Sequence, residues 1–216
     1  MTVCISKYCQ IKESLVSING KMDFKSEENQ PGKIFRSIYR HYGIDYPKFF
    51  KMDNLSKLGF LGAELLLSGI DILTNYKSEE IGIILANSSS SLETDEKHQE
   101  SIIDRNNYYP SPSVFVYTLP NIMAGEIAIR HKIKGENTVF ISEEFDPVFI
   151  FNYVSELINN QRISCCITGW VECYGDHYES FLLLAETGEA IKRFKEDQEY
   201  IIFAPSNIQK LYKGES

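Results

Sequence analysis

The stretch "TVFISEEFDPVFIFNYVSEL", Thr138–Leu157, decides how the chain is read. It divides into a short apolar strand, Thr138–Ser142, a tight turn, and a helix from Pro147 to Asn160 with one apolar face. Asp146 stands where an N-cap side chain accepts from free helix amides, and Pro147 takes the first helical position, where its missing N–H costs nothing. Strand-to-helix corners of this kind often seat a nucleophile, because exposed N–H groups at a helix start hold developing negative charge. Here the seat is filled by Glu143, Glu144 and Asp146, with neither Ser nor Cys at its apex.

Outward from this corner, strands alternate with helices. "IGIILAN", Ile81–Asn87, is a continuous apolar run of strand length, the pattern of a strand covered on both faces. A helix begins at Asp53, an N-cap candidate, and is expected to run to about Tyr76, with Lys57, Glu64, Ser68 and Asp71 on one side. "LETDEKHQESII" reads as helix and "YYPSPSVFVYTLP" as loop. A further helix spans about Pro120–His131, with Glu126 and Arg130 at i, i+4 spacing for an ion pair. Upstream, "SLVSI" (Ser14–Ile18) is the first strand candidate, before the turn pair Asn19-Gly20, and "KIFRSIYRHYG" is a short helix. Downstream come strand Ile163–Thr168, "SFLLLAE", and a last strand in "YIIFAP". This order specifies an α/β layer around a largely parallel sheet, with closing strands free to enter antiparallel at an edge.

With 216 residues, 43% of them hydrophobic and 24% charged, the chain is expected to form one domain, residues 1–216. A net charge of −8 argues against nucleic acid as a partner. Two basic regions interrupt the acidic balance: Lys33, Arg36, Arg40, His41 and Lys48, and Arg130, His131, Lys132 and Lys134. Each is either a solvated face or a landing site for an acidic protein. The five cysteines match no zinc spacing, and no secretory signal precedes them, so a reduced cytoplasmic setting is expected. Leu58–Leu73, the longest apolar stretch, contains Glu64 and Asp71 and is too short to span a bilayer. Cys173, Asp176 and His177 lie close in sequence but lack an orienting motif, and Ser88–Ser91 lacks the glycines and lysine of a phosphate loop. No cofactor or metal motif is found.

"PNIMAGEIAIRHKIKGEN", Pro120–Asn137, resembles the signature that precedes the active-site strand of the β-ketoacyl-ACP synthases, members of the thiolase-like superfamily. "MDNLSKLGFLGAELLL" is similar to that family's earlier Met-Asp helix, and "IGIILANSSSS" to its second strand and loop. "ISCCITGWVE" is placed like the strand running to its Gly-x-x-Glu turn, and "SFLLLAE" like the strand after it. The resemblance covers residues 45 to 186, between a variable N-terminal segment and a C-terminal strand and tail. It implies a single thiolase-like half: a central mixed, mostly parallel five-stranded sheet with helices on both faces.

Counted from Gly135, the family's nucleophilic cysteine falls on Glu144. A carboxylate cannot carry an acyl chain through condensation, since an anhydride would be lost to water. The family's two catalytic histidines belong to a C-terminal half that is not found in this sequence. The resemblance therefore implies a non-condensing accessory subunit of fatty-acid, polyketide or polyene assembly, with no catalytic residue of the condensing kind. Its partners would be a second copy or a ketosynthase-like subunit, with an acyl carrier protein as a further candidate. The partner interface would be Thr138, Phe140, Ser142, Glu143, Glu144 and Phe145, since the family's equivalent strand pairs with its mate across a dimer axis. Arg130, Lys132 and Lys134 form a candidate carrier-protein patch. Half a thiolase fold is also expected to expose a large apolar face. The alternative is an enzyme of altered chemistry, a decarboxylase or thioesterase on acyl carriers, that uses Glu144.

Overall fold

The computed structural model describes residues 2–104, 106, 108–189 and 200–215. Eight strands among them form one sheet. They are β1 (Val3–Lys12), β2 (Leu15–Ile18), β3 (Lys21–Lys25), β4 (Ile81–Asn87), β5 (Asn137–Ile141), β6 (Cys165–Tyr174), β7 (His177–Thr187) and β8 (Ile201–Ile202). The order is β3-β2-β1-β7-β6-β4-β5, with β8 paired to β1. β5 and β6 run parallel to β4, and the remaining pairs are antiparallel. The α/β class is as the sequence implies. A central five, β1-β7-β6-β4-β5, is extended by β8 and the β2–β3 hairpin, so the sheet is wider and less parallel than expected. β1 precedes the first expected strand and occupies the middle of the sheet. The hairpin turns at Asn19 (φ 49°) and Gly20 (φ 74°), both left-handed as a two-residue hairpin loop requires.

One face carries α1 (Pro31–His41), α2 (Asn54–Leu67), α3 (Ile72–Asn75), α4 (Leu92–Ile103), α5 (Pro112–Val116) and α6 (Ile122–His131). α2 starts where expected, with Asp53 Oδ1 accepting from the Ser56 amide at 2.9 Å. It does not run to Tyr76: Gly69, at φ 75°, breaks it, and α3 follows as a separate turn. α2 is buried nearly all round, from Leu55 to Leu67, because β6 and β7 lie beneath it and α1 and α6 flank it. Its close approach to the sheet uses Gly62, where an added Cβ would lie 2.7 Å from Ser180 Oγ. The Pro/Ser-rich segment expected as loop folds locally into α5, with Ser111 capping it.

The other face carries α7 (Pro147–Asn159) and α8 (Pro205–Lys213). α8 lies beyond the last strand expected from sequence and packs on α7. Ile208 is fully buried there, with Ile84, Trp170, Phe181 and Leu183 in the same apolar cluster. α7 and α8 pack over this cluster, with Tyr8, Phe140 and Ile201 half-buried at its margin. β4 is buried at all seven positions, between the two faces.

Candidate functional site

The parallel strands end on one side of the sheet, the side where open α/β folds place their ligands. β5 delivers the corner Ser142–Asp146, and the Ser142 amide donates to Asn87 O at the end of β4, 2.9 Å away. Asp146 caps α7 as expected: its Oδ1 accepts from the amides of Val148 (2.9 Å) and Phe149 (3.0 Å). These amides are thus occupied by the protein's own carboxylate. Ser142 Oγ donates to Glu144 O at 2.9 Å, which closes the turn. Glu143 and Glu144 are exposed and Phe145 is buried.

Phe145 anchors the corner from below. Its ring lies 4.7 Å from Tyr212 on α8, 5.7 Å from Phe181 and 6.2 Å from Trp170. Beside this aromatic group two buried glutamates face one another in register, Glu172 on β6 and Glu179 on β7. Glu172 Oε2 accepts from the amides of Ser88 (2.7 Å) and Ser89 (3.0 Å), fixing the turn after β4. Its Oε1 is buried with no hydrogen-bond partner among the described residues. Glu179 accepts from Lys12 (3.3 Å), Gln10 (3.4 Å) and Tyr212 Oη (3.1 Å). The Tyr212 hydroxyl is pushed up by burial and then by Glu179, so it stays a donor. The resemblance places Glu172 at the end of a Gly-x-x-Glu turn, whereas Gly169–Glu172 lie within β6, and Tyr212 carried no sequence signal.

None of the five cysteines lies at the corner. Cys165 and Cys166 point to opposite faces, and all five are buried. Burial pushes the thiol of Cys9 up to about 12 and raises those of Cys166 and Cys173, which disfavours the thiolate a nucleophile needs. Cys173 faces the α2 side, whereas Asp176 and His177 lie exposed in or beside the β6–β7 turn. Among the described residues no group of three or more His, Cys, Asp or Glu could hold a metal ion, and no helix is long and apolar enough to cross a membrane.

β5 pairs only with β4, so its outer edge is free among the described residues. Thr138 and Phe140 on it are half-buried. Around this edge Ile129 (63%), Ile141 (52%), Val148 (54%) and Phe149 (38%) are exposed. Phe140, Phe149 and Tyr153 form an edge-on aromatic cluster with Phe140 4.7 and 4.9 Å from the other two rings. The basic patch is split. Arg130 grips Glu64 and stacks over Tyr46 at 5.1 Å, whereas Lys132 and Lys134 are exposed. The expected Glu126–Arg130 pair does not form, because Glu126 is buried and bound by Lys48 (2.7 Å) and Tyr117 (3.0 Å).

No protein-family model matches the sequence, and no curated protein matches it. Solved structures do. The chain is similar to the ishigamide ketosynthase/chain length factor, at 19% identity and TM-score 0.61, over 88% of this chain and 63% of that one. It is similar to a type II PKS acyl-carrier protein in complex with its ketosynthase bound to the hexaketide, at 9% identity and TM-score 0.60, over 92% and 60%. It is also similar to the ketosynthase ApeO in complex with its chain length factor ApeC from Xenorhabdus doucetiae, at 12% identity and TM-score 0.53, over 87% and 80%. The chain thus spans about three fifths of the length of the first two. The chain therefore shares its fold with these ketosynthase and chain-length-factor structures over most of its own length.

Proposed function

We propose that the chain is a non-condensing, ketosynthase-like subunit that pairs through β5 with a second chain of the same fold, its own copy or a ketosynthase-like partner, in fatty-acid, polyketide or polyene assembly. One observation carries the reading: a free sheet edge flanked by exposed Ile141, Val148 and Phe149 adjoins a corner whose apex is Glu144. An unpaired edge strand with apolar flanks is a template for another chain. The corner offers no thiol for acyl transfer, and its helix amides are already capped by Asp146. Solved relatives of this fold include a ketosynthase with its chain length factor and a ketosynthase with its acyl-carrier protein, which supports an assembly role. Thr138, Phe140 and the turn Ser142–Phe145 would form the seam, and Lys132 and Lys134 the part of the basic patch open to a carrier protein.

Sedimentation of the protein alone and co-expressed with a ketosynthase-like subunit tests this. The expected result is a dimer or a stable heteromer, lost in Ile141→Lys and Phe149→Asp with an unchanged circular dichroism spectrum. A monodisperse monomer under both conditions would overturn the proposal. So would turnover of malonyl- or acyl-carrier thioesters that disappears in Glu144→Gln, which would instead favour altered chemistry at the corner.

A further inference from the structure

The first turns of α2 and α4 are laced together by polar side chains, and one amine there is left over. At the start of α2, Asp53, Asn54 and Lys57 share one side, and on α4 Glu93, Thr94 and Lys97 repeat the same spacing. Asp53 Oδ2 accepts from Thr94 Oγ1 at 3.0 Å, and Asn54 Nδ2 donates to Glu93 Oε1 at 3.0 Å. Asp53 Oδ1 is taken by the Ser56 amide at 2.9 Å, and Glu93 Oε1 is also held by Lys97. Lys57, one turn along from Asp53, is half-buried, and its amine is in no ion pair among the described residues. Glu93 Oε2 is buried and has no hydrogen-bond partner among them. Burial most of all, and then Arg36 on α1, weaken the hold of Lys57 on its proton; Asp53 opposes this, Lys97 adds to it and Glu93 opposes it, with a net lowering. A desolvated lysine beside other cations is a setting that activates an amine as a nucleophile.

From this cluster we infer that Lys57 is an acyl-acceptor site, whose amine takes an acyl group from a thioester while Glu93 Oε2 receives the proton. The nitrogen lone pair attacks the thioester carbonyl and an N–C bond forms. The C–S bond then breaks, and sulfur leaves with its electron pair as a thiolate. The proton shed by nitrogen passes through Glu93 to that thiolate, so the products are an amide and a thiol, with no change of oxidation state. Arg36 and Lys97 supply positive charge while the carbonyl oxygen becomes an oxyanion. An amide resists hydrolysis, so the step is a single modification that removes one positive charge from α2, not a turnover. The thioester class rests on the proposed place of the chain in acyl assembly; the nucleophile and its neighbours stand without it.

Peptide mass mapping tests it after incubation of the full chain with the acetyl thioester of N-acetylcysteamine, with the exposed Lys51, Lys132 and Lys134 as internal references. Lys57 should be acetylated at least about fivefold faster than any of the three, as an activated amine is. Its rate should also level off at a lower pH than theirs. Arg36→Gln should move that break upward, because a cation that disfavours the ammonium is gone. Glu93→Gln should slow Lys57 about tenfold or more and leave the reference lysines unchanged. Arg36 is exposed, so its variant should melt with the parent. The inference is overturned if Lys57 reacts no faster than the references, if Arg36→Gln leaves the break in place, or if Glu93→Gln leaves the rate unchanged. Acetic anhydride in parallel isolates the thioester class: Lys57 fast with the anhydride but not with the thioester overturns that assignment. Pairing at β5 is read by sedimentation, so either result can fail without the other.

Discussion

Arg130 holds Glu64 through two parallel hydrogen bonds, Nε to Oε1 at 2.8 Å and Nη2 to Oε2 at 3.0 Å, tying α6 to the middle of α2. His131 Nε2 approaches the same carboxylate at 3.1 Å. Burial raises the carboxyl's proton affinity, but the nearby His131 and Arg130 outweigh it and hold the group down at about 2. A carboxylate depressed in the folded state adds stability above its unfolded value and loses it as pH falls toward the folded value. Glu64→Gln should therefore cost about 1–3 kcal/mol at neutral pH. Its difference from the parent should shrink between about pH 4.5 and pH 2, as followed by urea unfolding across that range. A constant difference would show that packing, not charge, sets the effect.

α8 enters the core through Ile208, its one fully buried side chain. Ile208→Ala removes a fully buried side chain and should cost about 2–5 kcal/mol. Trp170 is the only tryptophan and is 4% exposed in the same cluster, so its emission reports directly on this face. Loosening of α8 should appear as a red shift at denaturant concentrations where the far-ultraviolet signal is still native. Coincident transitions would mean that α8 and the sheet unfold as one unit.

Gly169 sits in the middle of β6 at φ 145°, and an added Cβ would lie 2.0 Å from Phe181 O on β7. That contact is with backbone, which cannot step aside without breaking the pairing of two central strands. Gly169→Ala should destabilise by about 3 kcal/mol or prevent folding, as measured by soluble yield and melting temperature. Gly125→Ala is the control, since no atom lies within 4 Å of its added Cβ.

What was legible in the sequence is what short-range chemistry settles. The unbroken apolar run Ile81–Asn87 could only be a strand covered on both faces, and it is. Asp146-Pro147 had to start a helix, because one side chain satisfies two amides and the proline lacks the N–H that would have needed a partner. The order of strands and helices followed, and with it the corner that presents Glu144. Tertiary structure decided the rest. β1 escaped notice because Ser6, Lys7 and Gln10 interrupt its apolar pattern, and its place in the sheet depends on β7, more than 160 residues away. Glu126 and Arg130 were correctly spaced to pair, yet each met a partner from a distant segment, and a desolvated charge prefers the partner that fills its hydrogen bonds. α8 covers a face that local pattern alone left bare, because burial is a property of whichever surfaces the chain brings together, and no single window of sequence contains both.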